Sequence, residues 1–230
     1  MLDLYFGDAA KICYQNMDET YLQFHESHAK RVFDFVFATI GLILLSPLFL
    51  FCVLVAKLQS PGPIFYRAQR VGRGGQLFEM YKFRTMVVNA DSLGLNLTTF
   101  RDTRITPIGR FLRGTKLDEL PNLINVIKGD MSLIGPRPET PVYVQHYTEH
   151  QKQVLRVRPG MTGPAQILNR NEEEKLKGQV QPEQYYITEL MPKKLAIDLQ
   201  YIETQSFASD LLWLAKTFLA IIFPYKGDNS

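Results

Sequence analysis

Cysteine is scarce in this 230-residue chain, which has two cysteines and no CxxC pair. Cys13 lies in an acidic N-terminal leader and Cys52 lies inside an apolar run, so a disulfide between them is not expected. Such a count is typical of a protein in a reducing compartment. The GxSxG, P-loop and HExxH patterns are also absent, which disfavours serine hydrolases, P-loop enzymes and zinc peptidases.

Charge is modest overall but unevenly distributed. The net charge is +3, with 21% charged and 46% hydrophobic residues, which argues against a disordered chain and against a nucleic-acid binder. Residues 1–29 hold five acidic residues and one lysine, whereas residues 57–84 hold six basic residues and one glutamate. A basic block beside an apolar run fits an anionic membrane surface or a phosphorylated ligand.

One stretch is long and apolar enough to enter a bilayer. Residues 35–56 carry no charge over 22 residues, which is about 33 Å of helix and close to the thickness of a bilayer core. A secretory signal peptide has a shorter apolar region at the extreme N-terminus. Because 34 residues precede this run, that interpretation is rejected.

Ser46 and Pro47 interrupt the apolar run near its middle. Proline lacks an N–H and clashes with the preceding turn, so a kink or break is expected, and a serine hydroxyl can satisfy a freed carbonyl. Lys30 and Arg31 precede the run and Lys57 follows it, and basic residues favour the cytoplasmic side. The pattern favours a re-entrant hairpin; a straight span with a tolerated proline is the alternative.

Two strand-like stretches follow, Ile64–Val71 and Gln76–Met86, joined by the glycine-rich residues 72–75. Runs of this kind around a glycine turn predict a β-hairpin. A phosphate-cradling loop is the less favoured alternative, because neither dinucleotide-binding nor P-loop spacing is present. Residues 87–105 are expected to form a polar loop.

Helix signals dominate the region after residue 105. Thr106-Pro107 predicts a helix start and Gly114 predicts its end. A second helix is expected within Thr115–Ile127, and the residues at helical spacing on one face are Leu117, Leu120, Ile124 and Ile127. The proline- and glycine-containing residues 131–141 and 157–164 are expected to be loops, with a helix over Pro141–Arg156 between them.

The C-terminal third gives weaker signals. Residues 171–197 are polar, and no structure is assigned to them. Ser209–Phe223 is mostly apolar around Lys216 and predicts a helix, although it is too short for a confident span. Trp213 and Lys216 suit a helix lying in a membrane interface, and a buried core helix is the alternative.

Asp118 and Glu119 are the residues best placed for chemistry. Both lie in or just before the first turn of a predicted helix, where the free N–H groups and the helix dipole favour ionised carboxylates. An ionised carboxylate can act as a nucleophile, and a divalent cation can join carboxylates to phosphate oxygens. Simple helix capping is the alternative, and it would prevail without further context.

That context is a set of basic residues in sequence positions that suit anion binding. The planar guanidinium group of arginine matches phosphate oxygens, and prolines on either side of an arginine would hold it rigidly. A solvated surface is the alternative for any single one of them. The residues concerned are Arg110, Arg113, Lys116, Arg137 between two prolines, Arg156 and Arg158.

The histidines are weaker candidates. His146 and His150 are four residues apart with Glu149 between them, a spacing that could bind a metal on a helix. The order of residues is not that of a zinc peptidase, and no third ligand is evident. A helix surface is therefore the favoured interpretation of this pair.

These segments together resemble the monotopic phosphoglycosyl transferases, also called bacterial sugar transferases. The similarity covers residues 30–217, and its long central motif is highly specific because residue types and spacings occur together. The segments that carry it are Lys30-Arg31-x-x-Asp34, Ser46-Pro47, YKFRTM at 81–86, LDELPNLINVIKGDMSLIGPRP at 117–138, RVRPGMTGPAQ at 156–166 and DLQYIETQSFASDLLWLAKT at 198–217.

The resemblance and the pattern together predict a mostly α fold with a small β-hairpin. The protein would be membrane-associated, with a re-entrant helix broken at Ser46-Pro47 and interfacial amphipathic helices. The expected division is a polar leader (1–29), a re-entrant membrane helix (30–58), a cytosolic catalytic domain (59–223) and a tail (224–230). The site would face the cytoplasm at the bacterial inner membrane, and a homodimer is left open.

The resemblance also implies a reaction and its residues. Asp118 would attack the β-phosphate of a UDP-sugar, UMP would leave, and polyprenyl (undecaprenyl) phosphate would accept the phospho-sugar in the first membrane step of surface glycan assembly. Glu119 would be its partner, with Mg²⁺ held at Asp118 and Glu119. The residues expected to bind phosphate or substrate are Arg113, Arg137, Lys82, Arg84 and Arg158.

Two rival functions are weighed against this one. A non-catalytic scaffold of a glycan pathway is disfavoured by the intact Asp118-Glu119 pair. A nucleotide-sugar glycosyl transferase that releases UDP is disfavoured because the chain has no DxD motif. Pro164 and Asn169 depart from the residues frequent in the family at these positions, so contacts to the sugar and the base are not assigned.

Overall fold

The structure is a computed structural model that describes residues 27–59, 62–90 and 102–223. The expected leader lies almost wholly outside the described residues, as does the tail. The described part is mostly helical, with two small two-stranded sheets. The helices are α1 (His28–Leu44), α2 (Ser46–Gln59), α3 (Pro107–Gly114), α4 (Asn122–Lys128), α5 (Pro141–Val144), α6 (Pro164–Leu168), α7 (Glu172–Leu176), α8 (Pro182–Tyr185), α9 (Met191–Thr204) and α10 (Phe207–Ile222). The strands are β1 (Phe65–Val71), β2 (Leu77–Phe83), β3 (Ser132–Ile134) and β4 (Gly160–Thr162).

α1 and α2 form a bent apolar pair whose break lies where Ser46 and Pro47 predict it. The two helices meet at Leu45 and are bent by 66°. Pro47 lies in the first turn of α2, where the N–H that proline lacks would have had no partner within the helix. Within the described ranges no single helix is long and apolar enough to cross a bilayer, whereas the bent pair passes that test when taken together.

A buried charge cluster fastens the first turns of α1 to the rest of the chain. The Lys30 Nζ lies 3.2 Å from Asp34 Oδ1 and 2.7 Å from Asp210 Oδ2 on α10. The backbone N–H of Leu133 in β3 donates to the same Asp34 oxygen at 3.1 Å. The Tyr201 hydroxyl on α9 donates to Asp210. One cluster therefore joins four elements.

Two arginines satisfy the C-terminal end of α4. Arg31 donates to the carbonyls of Val126 and Ile127 at 2.6 and 2.7 Å, and Arg158 donates through Nε to the Gly129 carbonyl at 2.9 Å. The last carbonyls of a helix lack partners within the helix and carry partial negative charge, so arginine side chains stabilise them.

The predicted β-hairpin is confirmed. β1 and β2 pair antiparallel in a register that runs from Phe65 opposite Phe83 to Val71 opposite Leu77. Gly74 and Gly75 supply the left-handed φ values of 66° and 76° that this short connection needs.

Asn125 of α4 joins the hairpin to the helix. Its side chain is fully buried, and its Oδ1 accepts from the Tyr81 N–H at 3.0 Å. Its Nδ2 donates to the Glu79 carbonyl at 2.7 Å. The side-chain amide therefore pairs with the β2 backbone as the peptide group of a neighbouring strand would. The contact brings the Lys82 end of β2 close to the start of α4.

The second predicted helix differs from expectation. Its first part is a 3₁₀ turn, Leu117–Glu119, and the α-helix begins only at Asn122, after Pro121. The break changes the helical phase, so the expected apolar face is only partly correct. Leu120 is buried as predicted, Ile124 and Ile127 are half-buried, and the buried helical residues are Asn122, Leu123, Asn125 and Val126.

The segments expected as loops at 131–141 and 157–164 contain β3 and β4, which pair in parallel. Each strand is only three residues long, too short for a periodic signal. A Cβ on Gly160 would lie 2.2 Å from the Gly135 nitrogen, so this close approach requires glycine. The helix expected over Pro141–Arg156 is also shorter, because α5 ends at Val144 and a 3₁₀ helix covers Gln151–Arg156.

Residues 171–197, to which the sequence assigned no structure, are mainly helical. They form α7, α8, a π-helical segment at Tyr186–Leu190 and the start of α9. Five of their apolar residues belong to one of the buried clusters of the protein, namely Leu176, Tyr186, Leu190, Met191 and Leu195.

α10 is confirmed as a helix and packs only one face against the body. Trp213 and Leu214 contact a buried cluster, and Asp210 is fully buried. The helix is therefore not a buried core helix, because the large apolar side chains on its remaining surface are exposed: Phe207, Leu211, Leu212, Phe218, Leu219 and Ile221.

We expect Lys30→Met to lower the free energy of unfolding by about 3 kcal/mol, because it leaves two buried carboxylates without their cation. Lys193→Met is the matched control, because Lys193 also pairs with a carboxylate four residues away, but on the surface. Denaturant unfolding in detergent, followed by circular dichroism, measures both variants. Equal midpoints for the two would contradict a structural role for the Lys30 cluster.

Candidate functional site

Asp118 and Glu119 lie in the 3₁₀ turn that connects α3 to α4. α3 begins as predicted, with the Thr106 hydroxyl accepting from the Gly109 N–H at 2.9 Å. The chain reverses at Lys116, which has a left-handed φ of 59°. The two carboxylates are adjacent in sequence, but their surroundings differ.

Glu119 is held by two cations. Lys82 Nζ and Arg137 Nη2 lie 2.8 and 2.7 Å from the same oxygen, Oε1. Burial would raise the pKa of this carboxyl, but the charges and hydrogen bonds of Arg137 and Lys82 outweigh it and hold the pKa well below its usual range. Glu119 is therefore ionised at neutral pH and fixed in position.

Asp118 is also buried, but no pair of cations in the described part of the chain holds it in position as Lys82 and Arg137 hold Glu119. The residue is 6% exposed, and its carboxylate accepts no hydrogen bond from the described residues. Burial raises the pKa of Asp118, and the Lys82 charge only partly opposes that effect. Neighbouring carboxylates with pKa values pushed in opposite directions are a common arrangement in catalytic sites.

Burial and the charge of Glu119 also shift the pKa values of Lys82 and Arg137. Burial lowers the pKa of Lys82, against the opposing charge of Glu119. The Glu119 charge raises the pKa of Arg137 above its usual value, so this guanidinium is permanently charged. Lys82 comes from β2 and Arg137 from the segment after β3, so the two sheets place both cations at one carboxylate.

The other predicted phosphate-binding residues occupy different positions. Arg113 donates through Nε to the Thr85 hydroxyl at 2.9 Å, and its charge lowers the pKa of Asp118, although less than burial raises it. Arg84 is buried beside Gly62, and Gly62 lies in the connection between α2 and β1. Arg158 contacts the far end of α4, about 10 Å along the helix from the carboxylate pair.

A polar cavity of about 140 Å³ adjoins Arg137. We name it the Lys194 cavity, and its charged and hydroxyl-bearing lining includes Arg70, Arg137, Glu139, Glu172, Tyr186 and Lys194. Apart from Arg137, sequence reasoning missed these residues. Glu139 could have been found from its place next to the Pro136-Arg137-Pro138 motif, whereas residues 172–194 carry no motif that marks them.

Comparison with known proteins decides the family. Residues 25–224 match the family model described as bacterial sugar transferase. The chain belongs to this family. A UDP-glucose:undecaprenyl-phosphate glucose-1-phosphate transferase of Caulobacter vibrioides is 37% identical over 196 residues, which cover 84% of this chain and 69% of that protein.

Two further relatives of this bacterial sugar transferase differ in length. The exopolysaccharide production protein ExoY of Rhizobium meliloti is 36% identical over 208 residues, 84% of this chain and 85% of that protein. A UDP-glucose:undecaprenyl-phosphate glucose-1-phosphate transferase of Escherichia coli is 38% identical over 186 residues, 79% of this chain but only 38% of that protein. The family resemblance read from the sequence motifs is confirmed.

The expected Mg²⁺ can be tested against the side chains of this sugar transferase. Among the described residues no group of three or more His, Cys, Asp or Glu side chains could hold a metal, and His146 and His150 are both exposed. Mg²⁺ at phosphate-binding sites needs only one or two carboxylates, because substrate phosphates and water complete its coordination. Asp118 fits this role, since its oxygens accept no hydrogen bond from the described part of the chain.

We expect opposite stability effects from neutralising the two carboxylates at pH 7. Glu119→Gln should lower the free energy of unfolding by about 3 kcal/mol, because Lys82 and Arg137 lose their buried partner. Asp118→Asn should raise the melting temperature, because an acid whose pKa is raised on folding costs stability wherever it is ionised in the unfolded chain.

The two stability effects should vary differently with pH. The gain from Asp118→Asn should disappear below about pH 4, where the unfolded aspartate is itself protonated. The loss from Glu119→Gln should also shrink on acidification, but only at lower pH, because the pKa of the folded Glu119 carboxyl is depressed. Thermal melts at several pH values measure both effects, and a destabilising Asp118→Asn at pH 7 would contradict the burial argument.

Proposed function

We propose that this sugar transferase moves a phospho-sugar from a UDP-sugar to polyprenyl (undecaprenyl) phosphate and releases UMP. The observation that carries the proposal is the contrast within the pair. Glu119 is ionised and fixed by two cations, whereas the adjacent Asp118 is buried, accepts no hydrogen bond from the described residues and has a raised pKa. The activities in the names of the relatives support the same reaction class.

Asp118 is the proposed nucleophile. One of its carboxylate oxygens bonds to the β-phosphorus, while the bond from that phosphorus to the oxygen bridging the α-phosphate breaks and UMP leaves with the electron pair. A phosphate oxygen of the polyprenyl phosphate then bonds to the same phosphorus, and the Asp118 carboxylate is released. A carboxylate with a raised pKa is a better nucleophile once ionised.

Lys82, Arg137 and Glu119 have a supporting role. The two cations stabilise the negative charge that spreads over the phosphoryl oxygens in the transition state. Glu119 holds both of them in position, so they need no reorganisation during the reaction. Arg113 supplies a further positive charge near Asp118. Mg²⁺, held by Asp118, would add charge neutralisation at the diphosphate.

We expect Asp118→Asn to reduce UMP release by at least about 10³-fold, because the nucleophile is lost. The assay uses detergent-solubilised protein, Mg²⁺, undecaprenyl phosphate and a panel of UDP-sugars. Glu189→Gln is the control, since Glu189 is exposed and pairs only with Lys193 in the described structure. Without acceptor, the wild-type protein should gain the mass of one phospho-sugar on the peptide that contains Asp118.

Other products would identify the rival functions. Release of UDP in place of UMP would indicate an ordinary glycosyl transferase, and equal activity of Asp118→Asn would remove that residue from the chemistry. If no donor gives any release of UMP or UDP, the result would favour a non-catalytic scaffold.

Attachment to a membrane belongs to the same proposal. The outer surfaces of α1 and α2 are apolar and exposed, as is that of α10. These surfaces suit a lipid bilayer, into which the bent pair enters and leaves by one leaflet while α10 lies in the interface. A membrane anchor beside the carboxylates explains how a soluble donor meets a lipid acceptor. We place the site at the cytoplasmic face of the inner membrane, where basic flanking residues are favoured.

We expect cysteines introduced by His28→Cys and Leu58→Cys to be labelled from the same side of the membrane. Both positions are exposed at the two ends of the bent pair, and Cys13 and Cys52 are first replaced by alanine. The measurement is labelling by a membrane-impermeant maleimide in right-side-out and inverted vesicles. Labelling of the two cysteines from opposite sides would show a straight span and overturn the re-entrant arrangement.

A further inference from the structure

The Lys194 cavity contains a connected set of charged groups. Lys194, which is 8% exposed, lies 2.9 Å from Glu172 Oε2 and 3.6 Å from Glu139 Oε1. Lys194 also donates to the Tyr186 hydroxyl at 2.9 Å, and that hydroxyl donates to Glu139. A buried network of this kind is a costly way to stabilise a fold, so it calls for a further explanation.

Hydrogen-bonding capacity is left over around this cavity. The Thr140 hydroxyl, which also lines it, is buried and has no partner among the described residues. The second oxygens of Glu139 and Glu172 also lack a described donor. The Arg70 guanidinium donates only to the neighbouring Gln69 carbonyl within the described ranges. Donors and acceptors are therefore both available to a ligand.

The chemistry of the lining selects among ligand classes. The three cations of the lining face two carboxylates that would oppose a diphosphate, and attack by Asp118 requires the diphosphate at the carboxylate pair, near Lys82 and Arg113. A nucleobase needs an open aromatic face, but the Tyr186 ring has Lys194 Nζ 4.9 Å from its centroid and packs against the Tyr143 ring at 5.0 Å. A neutral sugar ring carries hydroxyls that both donate and accept, which matches interleaved carboxylates and cations.

Arg137 links this cavity to the carboxylate pair. It lines the cavity, and its Nη2 also contacts Glu119. In a nucleotide-sugar, the sugar carbon and the β-phosphorus share a single bridging oxygen. A β-phosphate at Asp118 therefore places the sugar ring next to the groups that bind the phosphate, which is where the Lys194 cavity lies.

We propose that the Lys194 cavity binds the sugar ring of the donor and that Glu172 is a specificity-determining residue. This inference rests on the proposed function and extends it to the part of the donor that distinguishes one UDP-sugar from another. Glu172 is the best candidate because it lies on the short helix α7 at the cavity edge and has one carboxylate oxygen without a described partner.

The test compares Glu172→Gln with Glu174→Gln, the same change on the same helix at an exposed position outside the cavity lining. For each protein, kcat/KM for UMP release is measured with UDP-glucose, UDP-galactose and their N-acetylamino counterparts, together with inhibition by free UMP. Glu172→Gln should change the ratio of kcat/KM between the two best donors by about tenfold or more. Inhibition by UMP, which lacks the sugar, should stay within twofold, and Glu174→Gln should match the wild type in both.

Each contrary result has its own meaning. A uniform loss with all donors would make Glu172 merely structural and overturn the inference. Weaker inhibition by UMP would mean that the cavity takes the nucleoside, which also overturns it. If the wild-type protein releases no UMP from any donor, the proposed function fails and the inference fails with it.

Discussion

The amino group of Lys30 lies between two buried carboxylates, Asp34 and Asp210, and the rest of the architecture depends on that contact. Through it, α1 is joined to α10, and through the Leu133 N–H the same cluster reaches β3. The apolar pair α1–α2 thus leaves the body at a fixed point, although most of its surface is exposed. Together with the Arg31 hydrogen bonds to the end of α4, this cluster fixes the orientation of the apolar helix pair relative to the Asp118-Glu119 pair.

The carboxylate pair shows how one turn can produce two different acids. A 3₁₀ turn places successive side chains about 120° apart, so Asp118 and Glu119 point into different surroundings. Glu119 meets the cations that β2 and the segment after β3 bring to it, and Asp118 meets the protein interior. The difference comes from the two small sheets, which supply buried core residues such as Met80, Phe83 and Ile134 and also fix Lys82 and the segment that carries Arg137.

The sequence predicted correctly those features that depend only on the local chemistry of the backbone. The Ser46-Pro47 break, the glycine-joined hairpin and the Thr106-Pro107 helix start all follow from backbone chemistry. The strands at residues 132–134 and 160–162 could not be seen, because a three-residue strand has no period and forms only through long-range pairing. The acidic pair was recognisable from its motif, but the opposite shifts in the pKa values of its members depend on side chains 18 and 37 residues away.

Arg137 is a single charge with two neighbours, Glu119 on one side and the Lys194 cavity on the other. A ligand that draws its guanidinium toward the cavity weakens its hold on Glu119 and so raises the affinity of that carboxylate for a proton. Reciprocity then requires that the proton occupancy of Glu119 alter the affinity of the ligand by the same factor. A substitution that changes the charge or position of Arg137 is therefore expected to change both ligand recognition in the cavity and the acidity of Glu119.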